Sequence, residues 1–129
     1  MAKTTQITVT AASKPGVLAE ICDALAKAGV HIVAICAVES AGRGKMRLVV
    51  SDPARDKAAP AAAKIRRGEE PALLLPMDDR PGALADLASR LAAAKINIKC
   101  VYYASTAGGG RVQVVVAVAN PDKAERALG

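Results

Sequence analysis

Hydrophobic and polar residues alternate near the start of the chain. Ile7 and Val9 are apolar and lie between the polar residues Gln6, Thr8 and Thr10. A period of two residues is typical of a strand with one buried face. The pattern therefore predicts a half-buried strand here.

An apolar stripe with helical spacing follows this strand. Its members are Leu18, Ile21, Leu25 and Ala28. This spacing predicts an amphipathic helix with one buried face. Ser13 is expected to cap the helix start, and Gly29 is expected to end the helix.

The next segments predict a hairpin. The run 30–38 is apolar and β-branched, 41–44 is rich in glycine, and 46–51 is apolar again. Two such runs around a glycine turn predict paired strands. Asp52-Pro53 then predicts a second helix to about Lys64, although Pro60 weakens it.

The second half of the chain repeats the first. Residues 14–20, with the sequence KPGVLAE, recur 66 residues later as RPGALAD at 80–86. Asp79 takes the place of Ser13 as the expected helix cap. The apolar stripe also recurs, as Leu84, Leu87, Leu91 and Ala94.

The rest of the second half follows the same order. Strands are predicted at 73–75, 96–105 and 112–119, the turn at 107–110, and a final helix from Asn120-Pro121 to Gly129. The first half also has a short predicted strand at 65–70, for which the second half has no counterpart.

These elements predict an α+β fold with two tandem ferredoxin-like βαββαβ units and antiparallel sheets, the second unit lacking its last strand. We expect the units to span residues 1–70 and 71–129. Units this small are marginal alone, so each is expected to pack on the other or on a second chain. The uncovered sheet edge of the second unit also calls for a partner strand.

Alternation also assigns the faces of the second strand in each repeat. It places Tyr102 with Cys100 on the helix side, and Tyr103 with Val101 on the outer face. In the first repeat the outer face would carry Val33, Ile35 and Ala37. An outer face this apolar predicts a homodimer or a larger assembly.

The net charge of +6 raises the question of nucleic-acid binding. The excess lies in residues 1–66, and its densest run is Arg43, Lys45 and Arg47. These residues could form a solvated strand face or a basic patch. Sheet-based RNA readers usually need aromatic stacking residues, and the first repeat has none, so nucleic acid is disfavoured as a partner.

The number and spacing of the cysteine, histidine and acidic residues argue against a zinc protein and against an enzyme. Cys22, Cys36 and Cys100 form no CxxC pair, and there is one histidine, so no zinc spacing can be assembled. No carboxylate pair or Cys–His arrangement suggests an enzyme. Without a secretion signal or a membrane-length apolar run, a cytoplasmic protein without membrane contact is expected.

The two copies of the Pro-Gly loop bear a family resemblance. Each unit carries a [KR]-P-G-x-L-A loop and a [VI]-[HN]-I start to its second strand, and Asp79-Arg80-Pro81-Gly82 with Ile96-Asn97-Ile98 is the closer match. The chain resembles stand-alone tandem ACT-domain proteins, roughly from Thr5 to Leu128. The missing last strand departs from that pattern.

The resemblance implies a non-catalytic regulatory or sensor protein. Such a protein would bind an amino acid or a similar small carboxylate metabolite at domain interfaces, with no cofactor, and could regulate a metabolic enzyme. The implied contact residues are Asp79, Arg80, Pro81, Gly82, Ala83, Leu84 and Asn97, and more weakly Ser13, Lys14, Pro15, Gly16, Val17, Leu18 and His31. The alternative is an oligomerisation or protein-interaction module without a ligand.

The chemistry of the loop fits a carboxylate ligand. A helix start has backbone N–H groups without partners and a partial positive charge, and carboxylates bind such ends. Gly16 and Gly82 remove side chains that would keep a ligand from the backbone. Asn97 offers both a donor and an acceptor. The alternative interpretation is a tight turn and a helix cap with no ligand.

Overall fold

The computed structural model describes residues 2–51 and 66–129. The elements run in the order β1 (Ala2–Ala12), α1 (Val17–Lys27), β2 (Ile32–Ser40), β3 (Arg43–Val50), β4 (Arg66–Asp78), α2 (Ala83–Ala93), β5 (Cys100–Gly108), β6 (Arg111–Ala117) and α3 (Pro121–Leu128). This order confirms the predicted α+β fold with ferredoxin-like repeats. The helix predicted from Asp52 to Lys64 lies outside the described residues.

The chain forms two compact units, which differ from the repeats at their ends. One unit is Gln6–Glu69, and the other consists of Met1–Thr5 together with Glu70–Gly129. The start of β1 therefore packs with the second repeat. We call these the first unit and the second unit.

The first unit is built on the strand order β2-β3-β1, with antiparallel pairing throughout. The start of β4 lies next to β1, where a Cβ on Gly68 would come within 2.8 Å of Thr8 Oγ1. Glycine at this position permits the close approach of the two strands. The core consists of Ile7, Val9, Ile21, Leu25, Val30, Met46, Leu48 and Val50.

The second unit is built on the strand order β5-β6-β4, also antiparallel. Its core joins β4 and β6 to α2 and α3, and includes Leu73, Leu75, Leu87, Leu91, Val114, Val116 and Ala124. As predicted, α3 begins at Asn120-Pro121, where the Asn120 side chain accepts a hydrogen bond from the Lys123 N–H at 3.0 Å.

The last strand that the second repeat lacks has a substitute within this unit. The strand beside β4 is β1, and the residues of β1 that belong to the second unit are those up to Thr5. The start of β1 thus occupies the sheet edge for which the second repeat has no strand of its own. This arrangement satisfies backbone groups that would otherwise form an exposed edge.

An ion pair joins the start of β1 to α3 within the second unit. Lys3 Nζ lies 2.7 Å from Asp122 Oδ1, with both side chains more than half exposed. This hydrogen bond and the opposite charges lower the pKa of Asp122 below its ordinary value and raise the pKa of Lys3. The Asp122 contribution to stability is therefore present above its unfolded-state pKa and is lost as pH falls through the folded-state pKa.

Lys3→Ala is expected to return the pKa of Asp122 upward toward its ordinary value, because both the hydrogen bond and the positive charge disappear. An NMR titration of the Asp122 carboxyl carbon measures the change. Lys123→Ala, which removes an exposed cation from the same helix, is the control. An Asp122 pKa that is the same in wild type and Lys3→Ala would contradict the contact.

The predicted faces of the second strand in the first unit were wrong. The pairing of β2 with β3 shifts between Ile32 and Ala34, as in a β-bulge. After the shift Ile35 pairs with Leu48, and Leu48 belongs to the α1-side core. Paired residues share a face, so Ile35 and Ala37 lie on the helix side rather than the outer face.

The same error occurs in the second unit, at equivalent positions. Tyr103 and Val101 pair with core residues Val114 and Val116, so they lie on the helix side. Tyr102 lies on the other face, opposite Val115. The irregular backbone at 96–99, where Ile98 packs on the core, interrupts the alternation and delays the strand start from the predicted residue 96 to Cys100.

Candidate functional site

The Pro-Gly loops of the two units have the same backbone construction. Each starts with a hydrogen bond to the tip of the neighbouring hairpin, from the Ser13 N–H to the Gly42 oxygen at 2.9 Å and from the Asp79 N–H to the Gly110 oxygen at 2.8 Å. Each helix then begins directly after the loop glycine. The hairpin thus fixes where each loop leaves its strand.

Glycine, not Ser13 or Asp79, occupies the helix N-cap, so both predicted caps were wrong. Gly16 has φ 92° and Gly82 has φ 89°, and no side chain caps either helix. Ser13 and Asp79 lie too early, because the Pro-Gly turn separates them from the first helical turn. The left-handed backbone of the turn explains why glycine is present in both copies.

The start of α2 leaves backbone donors available. The Ala83 N–H makes a long bond of 3.3 Å to the Arg80 oxygen, and the first regular helical bond is from the Asp86 N–H to the Gly82 oxygen at 2.9 Å. Between them, Leu84 and Ala85 have N–H groups without a hydrogen bond among the described residues. Two free donors at the positive end of a helix dipole are suited to a carboxylate.

Arg80 is held by carboxylates of its own unit. Its Nη2 lies 3.2 Å from Asp86 Oδ2, its Nε lies 3.7 Å from Asp78 Oδ2, and its Nη1 donates to the Pro81 oxygen at 3.1 Å. Arg111 also pairs with Asp78, at 3.0 Å. A ligand carboxylate at Arg80 would therefore compete with Asp86, since the arginine is already neutralised.

These partners of Arg80 were missed in the sequence. Asp86 stands in the first turn of α2, as Glu20 does in α1, which was a usable signal. Asp78 and Arg111 are 33 residues apart and meet only because β4 pairs with β6.

A surface pocket of about 370 Å³ lies beside Arg80 in the second unit. Its charged rim combines two cations with two anions: Arg80, Arg90, Asp78 and Asp86. Its apolar lining comes from Leu75, Pro76, Met77, Ala83, Leu87 and Leu128. The pocket could hold a small molecule with both charged and apolar parts.

The remaining loop residues have different environments. Ala83 is buried, and Leu84 and Val17 pack against the cores of their units, so these three side chains serve packing. Leu18 is 45% exposed. The other loop residues, Ser13, Lys14, Pro15, Gly16, Asp79, Arg80, Pro81 and Gly82, are exposed.

Asn97 and His31 lie away from the loop of their own unit. Both are exposed and follow the far end of the helix that the loop begins. The 11 residues of α2 separate Asn97 from Gly82, which is about 16 Å along the helix axis. Within one unit, one small ligand therefore cannot contact both the loop and the strand start.

The described residues show little else that suggests reaction chemistry. No group of three His, Cys, Asp or Glu side chains that could hold a metal ion occurs among them. Cys22, Cys36 and Cys100, which all lie within the described residues, form no disulfide with one another. In the part of the chain that the structure covers, no helix is long and apolar enough to cross a membrane.

Residues 2–128 match the family described as the ACT domain pair. The chain belongs to this family. The match spans both Pro-Gly loops and both second strands, so the repeats seen in the sequence are two ACT domains. None of the curated proteins matches the chain.

Solved structures with the same fold include one protein of unstated function and two regulatory subunits. A protein from Bacteroides thetaiotaomicron is 28% identical with a TM-score of 0.86, over 98% of this chain and 86% of that one. The regulatory subunit of aspartate kinase from Thermus thermophilus is 18% identical with a TM-score of 0.71, over 99% of this chain and 95% of that one. The regulatory subunit of aspartate kinase from Thermus flavus is 16% identical with a TM-score of 0.65, over 98% of this chain and 93% of that one.

Proposed function

We propose that this ACT domain pair, with domains at residues 1–70 and 71–129, is a non-catalytic regulatory sensor. It binds an amino acid or a similar small carboxylate metabolite at an interface between ACT domains. The better site uses the loop Asp79–Leu84, and the weaker site uses Ser13–Leu18.

This proposal rests mainly on one observation, the arrangement of backbone donors at the start of α2. The chain's membership of a family of regulatory domains gives that observation its meaning. The free N–H groups of Leu84 and Ala85 supply donors for a carboxylate, and Gly82 leaves the approach to them open. The adjacent carboxylates Asp78 and Asp86 could receive an ammonium group. Similarity to aspartate kinase regulatory subunits supports regulation of a metabolic enzyme as the wider role.

The test is a thermal-shift screen of the common amino acids and small dicarboxylates. A ligand that binds the folded state raises the melting temperature with concentration, by roughly RT ln(1 + [L]/Kd) in free energy. If no compound produces a concentration-dependent shift, the alternative of an interaction module without a ligand replaces the sensor.

Asn97→Ala is expected to weaken binding by about 1–3 kcal/mol, because a buried hydrogen bond to the ligand is lost. Asn97 would act from a domain facing the loop, since the distance along α2 excludes its own loop. The fold should be retained, because Asn97 is exposed and outside the core. Calorimetry measures the affinity, and His31→Ala tests the counterpart in the first domain. An unchanged affinity in both variants would place the site elsewhere.

We also propose that the protein is a homodimer or a larger assembly. Large apolar side chains stay exposed on the second strand of each unit, namely Ile35, Val38, Val101 and Tyr103. Exposed apolar groups of this kind favour burial against a partner. Light scattering should give a mass of at least two chains, and a monomer over a wide concentration range would refute the proposal.

A further inference from the structure

Three cations form a column on one face of the first unit's sheet. Met46, Leu48 and Val50 of β3 face the core under α1, so Arg43, Lys45 and Arg47 alternate onto the opposite face. We call these three residues the basic column. The flanking strands place Thr8 and Cys36 beside Arg47, and Thr10 and Val38 beside Lys45.

The basic column has no compensating anion among residues 2–51 and 66–129, which the structure describes. None of its three side chains makes an ion pair or a hydrogen bond with any described residue, and the buried Nε of Arg47 lacks a partner. Successive members are about 6.8 Å apart along the strand, close enough to repel one another. Repulsion among the three cations therefore destabilises the folded unit on its own, and a bound external anion would reduce that repulsion.

The second unit shows that the fold does not need this column. The equivalent positions, 66 residues later, are Gly109, Arg111 and Gln113. The single cation among them is neutralised by Asp78 at 3.0 Å. An uncompensated column is thus a property of the first unit and not a requirement of the repeat.

We propose that the basic column binds an extended acidic segment of a partner protein. Alternate side chains of an extended segment repeat at about 6.8 Å, which matches the column. Val38, 51% exposed beside Lys45, adds an apolar contact. Nucleic acid fits less well, because the flanking residues Thr8, Thr10 and Cys36 offer no surface on which bases can stack.

This inference does not depend on the amino-acid site, since the column lies on β3 and the proposed ligand loops begin α1 and α2. A failure of either test leaves the other proposal standing. A thermal shift with amino acids should be the same in wild type and in the column variant described next.

The test uses fluorescent poly-L-glutamate as the probe, with binding followed by anisotropy at low salt. The column variant is Arg43→Gln, Lys45→Gln and Arg47→Gln, which places at residue 47 the glutamine found at its repeat position. The control variant is Lys99→Gln, Lys123→Gln and Arg126→Gln, three exposed cations of the second unit. Both variants lose the same net charge, and circular dichroism checks that each remains folded. Lys45→Gln alone serves if the column variant unfolds.

Wild type should bind the probe, and the column variant should bind about tenfold more weakly, as the product of three modest surface ion pairs. Lys45→Gln alone should weaken binding about two- to threefold, and the control variant less than that. Equal losses in the control and column variants, or no binding by wild type, would overturn the proposal. Tighter binding of oligothymidylate that depends on the column would also overturn it, because the partner would then be nucleic acid. A changed mass of the column variant in light scattering would overturn it too, because the partner would then be a second copy of the chain.

Discussion

Gly82→Val should abolish ligand binding at the second loop and lower the free energy of unfolding by about 1–3 kcal/mol, the usual cost of a strained backbone residue. Gly82 has φ 89°, which a β-branched residue adopts only with strain. The nearest atom to an added Cβ is Arg80 Nη1 at 3.5 Å, so the stability loss comes from conformation rather than from a clash. The valine side chain would also occupy the N-cap position of α2, directly before the first helical residue.

The matched control is Gly16→Val in the first loop. Gly16 has φ 92° and no atom within 4 Å of an added Cβ, so it should lose similar stability. Urea unfolding measures the stability of both variants, and calorimetry measures binding of whichever amino acid the thermal-shift screen identifies. If Gly82→Val retains wild-type affinity, the second loop is not the principal site.

Leu91→Ala should be more damaging to stability, with a loss of about 2–5 kcal/mol. Leu91 is fully buried in the second unit, where the α2 stripe packs on β4 and β6. Removing its branched end leaves a cavity that the surrounding valines cannot fill. Urea or thermal unfolding measures the loss.

Leu18→Ala is the matched control for this change. The same atoms are removed from a helix, but Leu18 is 45% exposed, so the expected change is within about 0.5 kcal/mol. Similar losses in the two variants would mean that the burial of Leu91 is not what stabilises the second unit.

Several helices and strands could be predicted because the residue pattern that specifies each of them lies within a short stretch of the chain. Ile7 and Val9, and the stripe through Ile21 and Leu25, reach the core as periodicity indicated. The Asn120-Pro121 helix start was also predictable, since an N-cap followed by proline needs no distant residue. The repeated loop marked the family for the same reason.

The faces of β2 and β5 could not be predicted, because an irregularity of one residue reverses every later position. In both units the irregularity occurs just before the second strand becomes regular, between Ile32 and Ala34 and again at 96–99. An apolar residue is present on either side of each break, so hydrophobic pattern alone did not reveal it.

The sequence by itself determined the repeat and the order of the helices and strands, since each depends on neighbours along the chain. It did not determine that the strands predicted at 65–70 and 73–75 form one continuous strand, β4. Only the tertiary structure decided that Arg80 is already paired with Asp78 and Asp86. It also decided that Arg43, Lys45 and Arg47 have no ion pair with any residue that the structure describes. Whether a charge is compensated depends on which strands and loops the fold brings together, and that information is not local in the chain.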